Sequence, residues 1–223
     1  MGIDKNDVPA SSQVQKRNYI GFSNNGGKVN VLFIGNSITR HEPKPEIGWE
    51  NDWGMAASSR ENDYVHVTVS LLEKKFGKVN YCIANCGEWE LHYYQDERIF
   101  DWSEARDFQA DVVVIRIGEN IWQAKEKFKA HPIAPHYAKM VDYFCSNPNA
   151  KVVLTDLFWR NEEIDSAIRA VAKEKNYPLV FLNDLGECDE NMAIGQFWHE
   201  GVAIHPNDQG MRKIAERIVE KIL

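Results

Sequence analysis

Short apolar runs alternate with amphipathic segments along most of this chain. The apolar runs have the length of strands, and stretches such as DVVVIRIG and KVVLTDLF are rich in β-branched residues, which is typical of strands buried on both faces. The predicted strands span residues 30–35, 79–85, 111–118, 151–158 and 179–183. The predicted helices span residues 63–76, 97–108, 132–145, 162–176 and 208–223, the last with a continuous apolar stripe.

This alternation of strands and helices predicts an α/β fold with a parallel sheet and right-handed crossovers. We expect one domain over residues 29–223, a three-layer α/β/α sandwich around a five-stranded parallel sheet. Residues 1–28 form a predicted polar N-terminal lead-in. Because ligands of such folds bind outside the carboxyl ends of the strands, functional side chains are expected just after them.

Composition narrows the class of protein. The 223 residues are 43% hydrophobic and 26% charged, as in a soluble globular domain, and the net charge of −7 without a basic run argues against a nucleic-acid partner. No C-x-x-C pair occurs among the four cysteines, and no apolar stretch has the length of a membrane span or a signal peptide. We therefore expect a soluble protein, cytoplasmic as the sequence stands, with export left open for a chain whose signal peptide had been removed. The oligomeric state is left open.

Polar residues follow several predicted strands. They occur as GNS after the first strand, NCGE after the second, GEN after the third, and HEGVAIHPNDQG before the last helix. Each block taken alone is ordinary turn or capping chemistry. Their common place at one edge of one sheet instead indicates a catalytic site.

Acyl transfer requires groups of these types. A serine hydroxyl is a poor nucleophile until an imidazole removes its proton, which makes Ser37 and His205 candidate nucleophile and base. The oxyanion of the tetrahedral intermediate needs preorganised hydrogen-bond donors. The candidates are the backbone N–H groups of Ser37 and Gly87 and the side-chain amide of Asn120.

In this order, the blocks FIGNSIT, NCGE, IGEN and HPNDQGM resemble those of the SGNH hydrolases, a branch of the GDSL esterases and lipases. The resemblance extends from about residue 29 to residue 223. It implies a flavodoxin-like fold and serine esterase chemistry without a metal or cofactor. It also implies that Ser37 is the nucleophile, that Gly87 and Asn120 complete the oxyanion hole, and that His205 is the base. No G-x-S-x-G motif is present, which argues against an α/β-hydrolase.

One position departs from that family. The aspartate that usually stands three residues before the histidine is replaced by Val202, which cannot orient an imidazole. The nearest acid upstream is Glu200, which we predict to be the catalytic acid. The alternative is that a backbone carbonyl orients His205 in a Ser–His dyad.

The substrate is predicted less directly. His41 follows Ser37 by four residues, and Trp53 belongs to an aromatic loop after the first strand, so both are candidate substrate-binding residues. Their alternatives are a solvated loop histidine and a core tryptophan. We expect a short acyl ester, acetyl in particular, on a small molecule or a carbohydrate. Arg116, inside an apolar strand, must reach an acid or the mouth of the strand.

Two other functions are consistent with parts of the pattern. In a non-catalytic glycan-binding module, Ser37 would only cap a helix. In a metallohydrolase, the ligands would come from the segment of His199 and His205, with Glu200 and Asp208. The H-E-x4-H spacing does not place both histidines on one helical face, as H-E-x-x-H does.

Overall fold

A six-stranded sheet forms the centre of the protein, for which a computed structural model describes residues 19–223. The strand order is β1-β3-β2-β4-β5-β6, and only the β1–β3 pair is antiparallel. The strands are β1 (Ile20–Ser23), β2 (Val29–Gly35), β3 (Val79–Asn85), β4 (Val112–Arg116), β5 (Lys151–Thr155) and β6 (Leu179–Val180).

The predicted flavodoxin-like α/β class is confirmed, but the number of strands differs from the prediction. The additional strand is β1, which lies within the predicted lead-in and pairs with β3, Ile20 facing Ala84. Its four residues are only partly buried or exposed, so no apolar run marks it in the sequence. Residues 1–18 of the predicted lead-in lie outside the described residues.

Helices cover both faces of the sheet. The pair α1 (Tyr64–Phe76) and α8 (Asp208–Ile222) packs on one face, and α4 (Ile133–Phe144) and α5 (Glu162–Glu174) pack on the other. The short helices are α2 (Gly87–Leu91), α3 (Ser103–Asp107), α6 (Asn183–Gly186) and α7 (Glu200–Ala203). None of the helices in residues 19–223 has the length and apolar character needed to cross a membrane.

Side-chain caps explain where three of the four long helices begin. Asp63, Asn161 and Asn207 each accept a hydrogen bond from a backbone N–H in the first turn of α1, α5 and α8. The predicted helix over residues 97–108 is wrong in type for its first half, which forms a 3₁₀ helix (Asp96–Trp102) before α3 begins. All five residues of β4 are buried, as expected for a central strand covered on both sides.

The register of the sheet aligns the ends of three strands. Gly35 at the end of β2 faces Asn85 at the end of β3 and Arg116 at the end of β4. The residues that follow each strand therefore leave the sheet at one edge. This register brings together the polar blocks that the sequence places after the strands.

Candidate active site

Ser37 lies on a tight turn directly after β2. The backbone carbonyl of Asn36 accepts hydrogen bonds from the N–H groups of Thr39 at 2.9 Å and Arg40 at 3.0 Å. This turn requires glycine at position 35, because a Cβ there would lie 1.7 Å from Oγ1 of Thr39. The turn thereby presents the Ser37 hydroxyl to a cavity at the edge of the sheet.

The His205 imidazole lies against that hydroxyl. Oγ of Ser37 is 2.8 Å from Nε2 of His205, although the two residues are 168 positions apart in the chain. The ring is buried, and it packs edge-on against Trp159 with the ring centroids 4.9 Å apart. The backbone N–H of His205 also donates to the carbonyl of Val202 at 3.0 Å. The imidazole is therefore held from its ring and from its backbone.

A backbone carbonyl fixes the tautomer of His205. Nδ1 lies 2.7 Å from the carbonyl oxygen of Gly201 in helix α7, one of the carbonyls left without a partner at a helix end. A carbonyl oxygen can only accept a hydrogen bond, so Nδ1 carries the proton. Nε2 then directs its lone pair at Ser37, as a general base requires.

Glu200 does not occupy the place that we predicted for the orienting acid. Its side chain is exposed, and the Nδ1 atom that it would orient is bonded to Gly201 instead. The family's aspartate position cannot serve either, because Val202 is fully buried in an apolar cluster with Trp49 and Met55. In the structure, the backbone carbonyl of Gly201 lies where an orienting acid would lie.

Burial lowers the pKa of His205 to about 3, with His41 and Arg116 acting in the same direction. Without a carboxylate partner, the hydrogen bond to Gly201 compensates only part of this desolvation. The imidazole is therefore neutral, and able to accept a proton, throughout the mildly acidic and neutral range.

The three predicted oxyanion donors line the same cavity. The N–H of Ser37 has no acceptor among the residues that the structure describes, so its hydrogen is free for a substrate. Asn120 uses one amide hydrogen in a 2.6 Å bond from Nδ2 to Glu90, and the other remains. The N–H of Gly87 donates to Oδ1 of Asn85 at 2.8 Å, so it can serve an oxyanion only by sharing that hydrogen.

A buried network of charged side chains lies beneath the cavity, and two of its members, Glu90 and Glu119, were given no role from the sequence. The guanidinium of Arg116 bonds Glu119 and Oδ1 of Asn36, and Asn36 donates to both glutamates. Arg116 is fully buried and pairs with Glu119, so of the two predicted outcomes, an acid or the mouth of the strand, it reaches an acid. That unusual arginine in an apolar strand was the signal for buried acids nearby.

The cavity has a volume of about 730 Å³ and is lined by both polar and apolar groups. His41 lies in its wall, and burial lowers the pKa of this imidazole. Trp53 lies outside this cavity, contrary to the prediction. Its half-buried ring packs edge-on against Trp49, and its indole N–H donates to the carbonyl of Ala57 at 3.0 Å. Trp53 thus folds its loop onto the core.

The side chains that a metallohydrolase would use as ligands do not converge on one point. Asp208 is bonded to Ser58 and Asn62, and Nε2 of His205 faces Ser37. Within residues 19–223, no three His, Cys, Asp or Glu side chains are grouped so that they could hold a metal ion.

Comparison with known protein families shows the family to which the chain belongs. A sequence model described as the GDSL-like lipase/acylhydrolase family matches residues 33–213, a range that contains Ser37, Gly87, Asn120 and His205. The chain belongs to this family. It is therefore an ester-bond hydrolase. No curated protein matches the chain.

Solved structures of GDSL-type and related esterases share the fold. An acetyl xylan esterase, AlAXEase, superposes with a TM-score of 0.56 at 21% identity, over 87% of this chain and all (100%) of that one. A family 3 carbohydrate esterase from Clostridium thermocellum gives 0.59 at 17% identity, over 86% and 94%. The lipase Lip_vut3 from a goat rumen metagenome gives 0.52 at 14% identity, over 87% and 97%. At these identities the likeness concerns the fold alone.

Proposed function

We propose that this GDSL-family hydrolase is a serine esterase that removes short acyl groups, acetyl in particular, from a carbohydrate. Ser37 is the nucleophile and His205 is the general base. The observation that carries the proposal is the 2.8 Å contact between Oγ of Ser37 and Nε2 of His205, with the proton of the imidazole fixed on Nδ1 by Gly201.

The reaction follows from this geometry in two halves. Oγ of Ser37 attacks the ester carbonyl as its proton passes to Nε2 of His205, and the N–H of Ser37 and the amide of Asn120 bind the oxyanion. The tetrahedral intermediate expels the alcohol, which takes the proton from Nε2, and Ser37 is left acylated. Water then attacks the acyl-enzyme through the same base, which releases the acid and restores Ser37.

The walls of the cavity support a short acyl group on a polar alcohol. Glu42, Lys44 and Gln123 line it beside the reacting groups, and these side chains suit the hydroxyl groups of a sugar. Two of the structures that share the fold are an acetyl xylan esterase and a carbohydrate esterase, which favours the same class of substrate.

Labelling with a fluorophosphonate probe tests the nucleophile. We expect stoichiometric phosphonylation of Ser37, located by peptide mass mapping, because only a hydroxyl with an adjacent base reacts readily. Ser37→Ala is the matched control and should take up no label. Labelling at another serine, or none in the wild-type protein, would contradict the assignment.

Rates on p-nitrophenyl acetate, butyrate and octanoate test the acyl preference. A faster rate on octanoate than on acetate would overturn the proposed preference for acetyl.

Trp198 replaces Trp53 as the candidate aromatic surface for a sugar. Its ring is 73% exposed, and it is adjacent to His199, which lines the cavity. The indole lies directly on Gly48, where a Cβ would come within 2.5 Å of Nε1, and this places the ring at the rim beside Ile47.

Trp198→Ala is expected to raise KM for an acetylated xylo-oligosaccharide by about 2- to 12-fold, because one stacking contact of about 0.5–1.5 kcal/mol is lost. KM for ethyl acetate should stay unchanged, because that substrate has no ring to stack on the indole. Phe181→Ala, which removes another exposed aromatic side chain (59% exposed), is the control and should affect neither substrate. Equal KM values for wild type and Trp198→Ala on the oligosaccharide would contradict this role.

A further inference from the structure

Glu90 is a fully buried carboxylate beneath the oxyanion donors. It lies on helix α2, one turn after Gly87, and its side chain has no exposed surface. Burying a carboxylate is costly unless its oxygens are hydrogen-bonded. The position of Glu90 therefore depends on the groups around it.

Four N–H groups from two loops of the site converge on this carboxylate. Oε1 accepts from Nδ2 of Asn36 at 3.0 Å, from the backbone N–H of Gly118 at 2.7 Å and from that of Asn120 at 3.2 Å. Oε2 accepts from Nδ2 of Asn120 at 2.6 Å. Gly118 has a φ of 142°, a backbone conformation that residues with a side chain rarely adopt, so a glycine at this position permits the arrangement. Glu90 thus joins the loop of the nucleophile to the loop of Asn120.

All four of these donors are neutral amides. The buried cation, Arg116, bonds Glu119 and Asn36, and no ion pair to Glu90 is found in residues 19–223. The carboxylate is therefore not simply one half of a structural salt bridge. Two of its four hydrogen bonds come from Asn120, which carries part of the proposed chemistry.

We propose that Glu90 is a positioning residue that holds the amide of Asn120 with its second Nδ2 hydrogen towards the oxyanion, an inference that rests on the function proposed above. With Nδ2 bonded to Oε2 of Glu90, turning the amide by half a rotation would place Oδ1 against a carboxylate oxygen. The carboxylate therefore prevents Asn120 from presenting an acceptor to the developing negative charge. The bond from Gln123 to Oδ1 of Asn120, at 3.2 Å and exposed, supports the same orientation from the solvent side.

The ionisation of Glu90 gives this arrangement a pH dependence. Burial, together with the charge of Glu119, raises the pKa of Glu90 to about 7. Four titratable groups face it. They are Arg116 at the end of β4, Glu119 in the loop that follows, Cys86 directly before α2, and Tyr137 on α4. The imidazole of His205 is neutral throughout this range, so the ionisation of Glu90 near pH 7 is separate from that of the base.

A double-mutant cycle on kcat tests the proposal. Glu90→Gln preserves shape but turns an NH₂ group towards the Asn120 amide, so we expect kcat to fall by about 100-fold with KM nearly unchanged. Asn120→Ala should lower kcat by about 100- to 1,000-fold. In the Asn120→Ala background, Glu90→Gln should lower kcat by less than about 3-fold further, because the residue through which Glu90 acts is gone. If the kcat losses of the two single variants instead multiply in the double variant, Glu90 has a general structural role and the proposal is overturned.

The pH profile is a second readout that does not require Glu90→Gln to fold. We expect kcat of the wild type to fall as the pH drops below about 7, and this acid limb to be absent in Asn120→Ala. A flat wild-type profile between pH 5 and pH 8 would overturn the role of the carboxylate. A wild type with neither turnover nor labelling at Ser37 would instead overturn the proposed function, and this inference with it.

Discussion

His205→Ala is expected to lower kcat for p-nitrophenyl acetate by about 10⁴-fold or more, the loss typical of a Ser–His base. The Ser37 hydroxyl would keep its position on the β2 turn but would have no acceptor for its proton. KM should change little, because the imidazole contributes to proton transfer more than to ground-state binding. Steady-state kinetics, with fluorophosphonate labelling as a measure of hydroxyl reactivity, check this expectation.

Glu200→Gln is the matched control for that variant. It removes the nearest upstream carboxylate, and we expect kcat to stay within about 2-fold of wild type, because Nδ1 of His205 is bonded to the Gly201 carbonyl. A loss of 100-fold or more in Glu200→Gln would show that the exposed carboxylate turns inward during the reaction. That result would contradict the backbone-oriented pair.

The sheet and the meeting of Ser37 with His205 could be predicted because both depend on strong local patterns. Buried parallel strands are continuous apolar runs, and their carboxyl ends share one edge by construction. The histidine follows from its own block before α8, whose amphipathic stripe fixes where that helix packs. Strand β1 lacked such a signal, since its four residues pair at an edge without being buried.

The sequence could not decide between Glu200 and a backbone carbonyl as the partner of His205, nor which tryptophan is exposed, for two physical reasons. A carbonyl acceptor belongs to the backbone, so the one-turn helix α7 that presents Gly201 leaves no mark on residue types. The exposure of a tryptophan depends on tertiary packing, which buries Trp49, half-buries Trp53 and leaves Trp198 at the surface. The burial of Glu90 could not be predicted either, because a glutamate in a short helix is usually solvated.

Arg116→Met is expected to destabilise the fold by about 3–5 kcal/mol at pH 8, the usual cost of removing one partner from a buried charge network. The methionine would fill much of the space but would leave Glu119 and Glu90 buried without a cation. Asn36, beside the nucleophile, would also lose the guanidinium that bonds its Oδ1. Urea unfolding of wild type and variant measures the difference in the free energy of unfolding.

The destabilisation caused by Arg116→Met should be smaller at pH 5 than at pH 8, and the direction of this difference follows from the pKa of Glu90. This pKa rises from 4.5 to about 7 on folding, so the folded protein binds the proton more tightly, and the associated stability is lost as pH rises towards and through 7. Removing a nearby positive charge raises the folded pKa further and deepens the loss above pH 7. Arg160→Met, at an exposed arginine with two surface ion pairs, is the control and should cost less than about 1 kcal/mol at either pH. An equal loss for Arg116→Met at pH 5 and pH 8 would show that packing, not charge, explains the role of this arginine.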